Sequence, residues 1–437
     1  MKKKQADRRK NFFTLRNLNV DAEYYLLLLF AFVASVSSTT LSSLKVSYVV
    51  GGLIMMISFT RFRSLKTGFL TKLLVSTIFI SATYAWIIGG FEGPALYIGI
   101  LASTYLGFIS IRQLGSRYLI EKYLFFFQLG FNLSNILVTV FLLVFVQFRD
   151  FVISSDQYGI RLTGFFLNAN AFASAQLLIL PLSFYFLLKV RWVYKPIYLF
   201  FLINGAFLLV ASQSRFAYIG IFLASLIVFF IKIKVFLVHS KNLFYKTMSV
   251  FGILIAIGIL TYFVGIATLD KSLYQKSGLI FSRFNPKNRI SSTKITLKDF
   301  QGERLQILKA SAETLLDNPF GIGYQPHEKV IGEETGVYKV AHNFIISQLL
   351  YYGLFFGTIW VLLWLYPIFK GYRILNKARR LTWDLEEFVF IGYTSYLIYS
   401  LGHSSTNWVY LWLYFVILLL LLNRFAEDKQ LQQIQKK

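Results

Sequence analysis

Apolar stretches long enough to cross a membrane, separated by short polar breaks, run through most of this chain. Spanning roughly 30 Å of hydrocarbon takes about 20 helical residues. Segments of suitable length fall near 24–44, 46–60, 69–89, 94–110, 123–147, 165–188, 196–213, 216–231, 247–266, 342–366, 388–403 and 407–423. The pattern predicts an all-α integral membrane protein of about 12 transmembrane helices, a single polytopic domain over residues 1–437. One long polar interruption, 267–341, separates the ninth and tenth segments, and it is the only sizeable non-membrane region.

Two breaks carry more information than the rest. Pro196–Ile231 is apolar for 36 residues except for SQSR at 212–215, which is too long for one span. Two spans must therefore meet at a tight turn that holds Arg215 at the membrane boundary. Inside the long interruption, Leu305, Leu308, Ala312 and Leu315 recur at helical spacing within Glu303–Asp317. That spacing predicts an amphipathic helix lying at the membrane surface. NPFGIG at 318–323 then supplies the breakers that end it.

Basic residues set the orientation. Seven Lys or Arg fall in 1–23, four in 61–72, three in 111–122, three in 189–195, four in 232–246, five in 370–387 and four from Arg424 onward. These alternate breaks hold 30 of the 45 basic residues, whereas the short loops of the other face hold Lys45, Arg149, Arg161 and Arg215. The positive-inside rule makes the basic side cytoplasmic. Both termini are then expected in the cytoplasm, with 267–341 as an extracytoplasmic loop. The start, MKKKQADRRK, leads into an apolar run without a small-residue cleavage site, which predicts a retained first span rather than a removed leader.

Composition agrees. The chain is 56% hydrophobic and 15% charged, too little polar surface to clothe a soluble globule of 437 residues. The net charge of +25 reads as topology signal rather than nucleic-acid binding, because the cations are clustered between apolar stretches. Cysteine is absent, which excludes disulfides, thiolate nucleophiles and cysteine metal sites. No Asp-x-Asp pair stands ready to hold a divalent cation against a sugar nucleotide, so no metal and no other cofactor is expected.

Chemistry must then come from a few groups at the outer boundary. Span centres contain essentially no ionisable residue, which argues against a carboxylate-driven ion pathway. The planar guanidinium of Arg215 suits phosphate, although an arginine snorkelling to the interface would occupy the same place. His342, followed by Asn343, stands where the long loop enters the tenth span. A neutral imidazole there suits removal of a proton from a sugar hydroxyl near neutral pH; an interfacial histidine bonded to backbone is the alternative. His327 reads as a residue of the polar loop. From Lys271 to Lys298 the loop carries seven cations and no acid, which suits an anionic ligand or lipid headgroups, or simply solvent.

Several of these stretches resemble the O-antigen polymerase and O-antigen ligase family (the Wzy and WaaL type). They are SQSRFAYIG around Arg215, GERLQILKASAETLLDNPFGIGY from Gly302 to Tyr324, and AHNFIISQLLYYGLFFG from Ala341. FFLNANAFASAQ at 165–176 is similar to the family's asparagine-containing start of a middle span, with Ala169 where a proline often stands. The resemblance implies a GT-C-like fold. It also implies a glycosyltransferase at the outer face of the cytoplasmic membrane whose donor is an undecaprenyl-diphosphate-linked oligosaccharide.

Under it, Arg215 and Arg304 bind the diphosphate, His342 orients or deprotonates the acceptor hydroxyl, and Asn343, Asn168, Asn170 and Arg161 are further substrate-binding candidates. A diphosphate flanked by two guanidiniums can leave without a metal, and attack from the opposite face inverts the anomeric carbon. The implied role is a polymerase of O-antigen, capsule or exopolysaccharide repeats, working with the bilayer and with a chain-length regulator as partners. A ligase of finished glycan is the rival within the family, and a flippase of lipid-linked oligosaccharide the rival outside it.

Overall fold

The computed structural model describes residues 69–91, 117–145, 152–156, 159–165, 169–212, 214–239, 297–337, 343–378, 383–402, 414–415 and 417–422. The spans expected at 24–44, 46–60, 94–110 and 247–266, and much of 407–423, lie outside the described residues.

The described elements are, in chain order, α1 (Phe69–Ile88), α2 (Arg117–Leu143), β1 (Ile153–Asp156), β2 (Gly159–Leu162), α3 (Ala169–Lys189), α4 (Lys195–Ala211), α5 (Arg215–His239), α6 (Leu297–Asp317), α7 (His327–Thr335), α8 (Phe344–Ala378) and α9 (Leu385–Ser400). Among the described residues, Ile120–Leu143, Ala169–Lys189, Trp192–Ala211 and Phe344–Lys377 are long and apolar enough to cross a membrane. Ser76–Ile88 and Phe216–Lys232 are shorter apolar helices. The all-α expectation is modified in one place. β1 and β2 form an antiparallel hairpin that pairs Ser154 with Arg161, in strands of four residues too short to leave a periodic signal.

α3 sits at the centre. Nearly its whole circumference is buried, from Ala171 to Phe186, which is why its sequence is apolar all round rather than striped. It packs against α4 and α9, and also touches α2 and α5. Small residues set how closely the helices approach. A Cβ added to Gly220 of α5 would come within 2.5 Å of the Ser395 carbonyl oxygen on α9, so the two backbones touch there.

A seam of neutral polar groups runs along one face of α2. Gln128, Asn132, Asn135 and Thr139 recur at spacings of four, three and four, which is one helix stripe. Asn132 donates to Ser183 Oγ at 3.1 Å. Asn135 and Gln176 exchange reciprocal amide bonds of 2.9 and 2.8 Å. Thr139 donates to Asn204 Oδ1 at 2.6 Å. These bonds tie α2 to α3 and α4 and fix their register, since a slip would strand amides in an apolar interior.

At one end of the bundle Lys232 of α5 is buried against Glu387 of α9, with Nζ 2.5 Å from Oε1. The Trp383 ring lies 5.4 Å from the same ammonium. Asp384 caps α9 in a capping box with Glu387, and Lys189 of α3 reaches Asp384 at 3.9 Å. Lys189, Lys232 and Asp384 all belong to breaks that the charge count assigns to one side.

Candidate functional site

The turn between α4 and α5 is built as the sequence predicts, with α4 ending at Ala211 and α5 opening at Arg215. The last carbonyls of a helix have no partner within it, and this motif supplies them. Ser212 Oγ donates to the Leu209 carbonyl at 2.6 Å, and the Tyr218 hydroxyl lies 2.8 Å from the Val210 carbonyl and 3.2 Å from that of Leu209. The chain can therefore reverse in three residues, and Arg215 is fixed in the first turn of α5.

The start of α5, the start of α8 and the end of α9 meet here. A Cβ on Gly402, just past α9, would fall 2.5 Å from the Phe216 ring. Next to Gly402, the Leu401 carbonyl accepts a 3.1 Å bond from the Asn343 side-chain amide. Asn343 also caps α8, its Oδ1 accepting from the Ile345 and Ile346 N–H groups at 2.9 and 3.3 Å. Asn343 is thus both cap and crosslink. The structure gathers the backbone of Arg215, Phe216, Leu401, Gly402 and Asn343 at one end of the bundle.

The other sequence candidates divide. His342 and Asn168 lie outside the described residues, as do the side chains of Arg215, Arg304 and Arg161. Arg304 stands within α6 and Arg161 in β2, while Asn170 is half-buried in the first turn of α3.

The loop departs from expectation in three ways. First, α6 begins at Leu297 rather than at Glu303. Second, its apolar stripe is split, with Leu305 and Leu308 outward and Leu315 packed inward. Leu305 is 67% exposed and Leu308 40%, whereas Ala310, Ser311, Thr314 and Leu315 are buried. Ala310 and Leu315 join Ile322, Ile331 and Leu350 in a small core of their own, separate from that of the bundle. α6 therefore packs on protein through Ala310, Ser311, Thr314 and Leu315 and leaves Leu305 and Leu308 outward.

Third, His327 is not a loop residue but opens α7 and is 5% exposed. The signal was present in Pro326 just before the helix and Gly336 just after it. The His327 ring lies 4.2 Å from that of Tyr351, and its Nε2 has no hydrogen-bond partner among the described residues. Burial pushes the imidazole pKa down to about 4, against the opposing pull of the Gly323 backbone.

A folded pKa below the unfolded value of about 6.5 means that His327 supports the packed loop above pH 6.5 and opposes it as pH falls toward 4. About 3 kcal/mol of local stability is expected to be lost across that window. Hydrogen exchange of 318–337 in detergent at pH 7 and pH 4.5 measures it. His327→Phe should flatten the difference, and an unchanged profile in that variant would assign the pH effect elsewhere.

α8 is not one straight rod. Gly353 has φ 72° and ψ 177°, outside the helical region. A Cβ on Gly357 would come 2.7 Å from the Leu349 Cα, so the pieces on either side of the bend fold against each other. The segment expected to cross at 342–366 is therefore a short helix up to Tyr352 and a long one from Leu354.

This architecture of buried, apolar, tightly packed helices with a separately packed polar loop is that of a membrane protein. Residues 200–362 match the family model described as O-antigen ligase. The matched stretch runs from α4 through the bend of α8 and contains Arg215, Arg304 and His342. Members are glycosyl-transfer enzymes that act on lipid-linked glycans in membranes. No curated protein and no solved structure matches the chain.

Proposed function

We propose that this protein is a polysaccharide polymerase that joins undecaprenyl-diphosphate-linked repeat units at the outer face of the cytoplasmic membrane. The observation that carries the reading is the meeting of three elements at one end of the bundle. The first turn of α5 with Arg215, the Asn343 cap that follows His342, and the end of α9 come together there. Arg304 stands on α6, whose Ala310 and Leu315 pack with Leu350 of the first piece of α8.

In this reading Arg215 and Arg304 hold the donor diphosphate and neutralise the charge that develops on it. His342 takes the proton from the acceptor hydroxyl. That oxygen forms a bond to the anomeric carbon as the bond from carbon to diphosphate oxygen breaks. Undecaprenyl diphosphate leaves, and the sugar is inverted. The match to an O-antigen ligase family favours a second reading, ligation of finished glycan to a terminal acceptor.

The test is direct. Purified protein given a lipid-diphosphate oligosaccharide, with no added metal or nucleotide, should produce a ladder of lengthening chains. A single transfer onto a different acceptor would mean ligation, and recovery of unchanged donor would remove the transferase reading in favour of transport.

A further inference from the structure

The sequence after α6, NPFGIGY at 318–324, reads on its own as a turn. In the structure it fills the break in α8. In an unbroken helix the Leu354 N–H would bond the Leu350 carbonyl. Here the Leu350 carbonyl accepts from Ile322 N–H at 2.8 Å, and Leu354 N–H donates to the Pro319 carbonyl at 2.8 Å. The groups freed by the bend are thus taken up by the loop, which lets a broken helix persist beside a membrane.

The fit allows no side chain at its centre. A Cβ on Gly353 would come 2.5 Å from the Phe320 carbonyl carbon, and one on Gly321 would come 2.5 Å from Gly353 N. Both residues have positive φ, 72° and 90°, so an L side chain is opposed by backbone strain as well as by contact. On its other side the segment is held by α1. The Tyr84 hydroxyl donates to the Phe320 carbonyl at 2.9 Å, and a Cβ on Gly323 would overlap the Ala85 carbonyl. The Tyr324 and Tyr352 hydroxyls meet at 3.2 Å, and His327 lies against Tyr351.

We propose that residues 318–324 are a positioning latch, which joins α6 rigidly to the first piece of α8 and so fixes Arg304 relative to His342 and Asn343. Gly321 and Gly353 are its positioning residues and touch no substrate. The inference rests on the transferase roles of Arg304 and His342 given above. It adds that the two are set by one body, built from a loop wedged into a helix break, which stays closed throughout turnover.

Pro319→Cys with Leu354→Cys tests it, because these residues are neighbours through a backbone hydrogen bond and the native chain has no cysteine to compete. The disulfide should form readily, and the oxidised protein should keep the wild-type rate of chain growth. Failure to crosslink would refute the geometry. Inactivity when oxidised, reversed by reduction, would show that the latch must open and would overturn the proposal.

Gly353→Ala is the second arm. A misplacement on the order of 1 Å costs about 100-fold in rate, so kcat should fall by about that factor, and the donor KM should rise as well because Arg304 is displaced from the diphosphate. Wild-type kcat in this variant would also refute the latch. Should Gly353→Ala not accumulate, the crosslinked pair decides by the same outcomes. Crosslinking is read without activity, so a failure of the transferase reading remains distinguishable from a failure of the latch.

Discussion

Cells whose only copy carries Arg215→Ala are expected to make no polymer, with the protein still inserted at its normal level. Loss of one preorganised donor to a developing oxyanion costs roughly 100- to 1,000-fold in rate, and in the proposed reaction that deficit would apply to every unit added. Arg304→Ala should behave alike if, as proposed, each guanidinium neutralises part of the same diphosphate. His342→Ala should cost about 100- to 10,000-fold by removal of a general base, with donor binding retained. The three can be separated by measuring donor affinity alongside chain length. Chains of normal length in the Arg215 variant would take that residue out of the mechanism. Because the turn before Arg215 is held by Ser212 and Tyr218, the fold should survive the change.

Lys232→Met should have the largest effect on stability. The ammonium is 3% exposed and Glu387 4%, so removing one partner leaves a carboxylate buried without compensation. That costs about 3–5 kcal/mol. Changing both, with Lys232→Met and Glu387→Leu, should recover much of the loss, since an apolar pair of similar volume needs no desolvation. Thermal unfolding in detergent of the two singles and the double gives the coupling. If the double is as unstable as the sum of the singles, the pair is not coupled and the bond between α5 and α9 is secondary. Transfer activity in the double should persist, because this pair lies at the opposite end of the bundle from Arg215.

How far the sequence led can be judged residue by residue. The reversal at SQSR was legible, because an apolar run too long for one span leaves only one place to turn. The seam on α2 was equally visible in the spacing of Gln128, Asn132, Asn135 and Thr139, yet a search for charged groups in the spans passes over neutral amides. The protein-facing side of α6 was only partly legible. Hydropathy picks out Leu305 and Leu308, whereas close helix packing selects small residues such as Ala310 and Ser311. The burial of His327 was hidden because α7 is only nine residues long and mostly polar. The bend at Gly353 could not be foreseen from its own segment, since the partner that stabilises it, 318–322, is distant in sequence and was itself read as a breaker.

That bend also changes how an acceptor would reach the chemistry. With the first piece of α8 folded aside, the crossing falls to Leu354–Ala378, whose 25 residues extend about 37 Å and suffice alone for the hydrocarbon. Under the proposed function, the stretch beginning at Asn343 could then serve as a shelf at the membrane boundary. A hydrated sugar chain growing at such a shelf would never have to shed its water into oil.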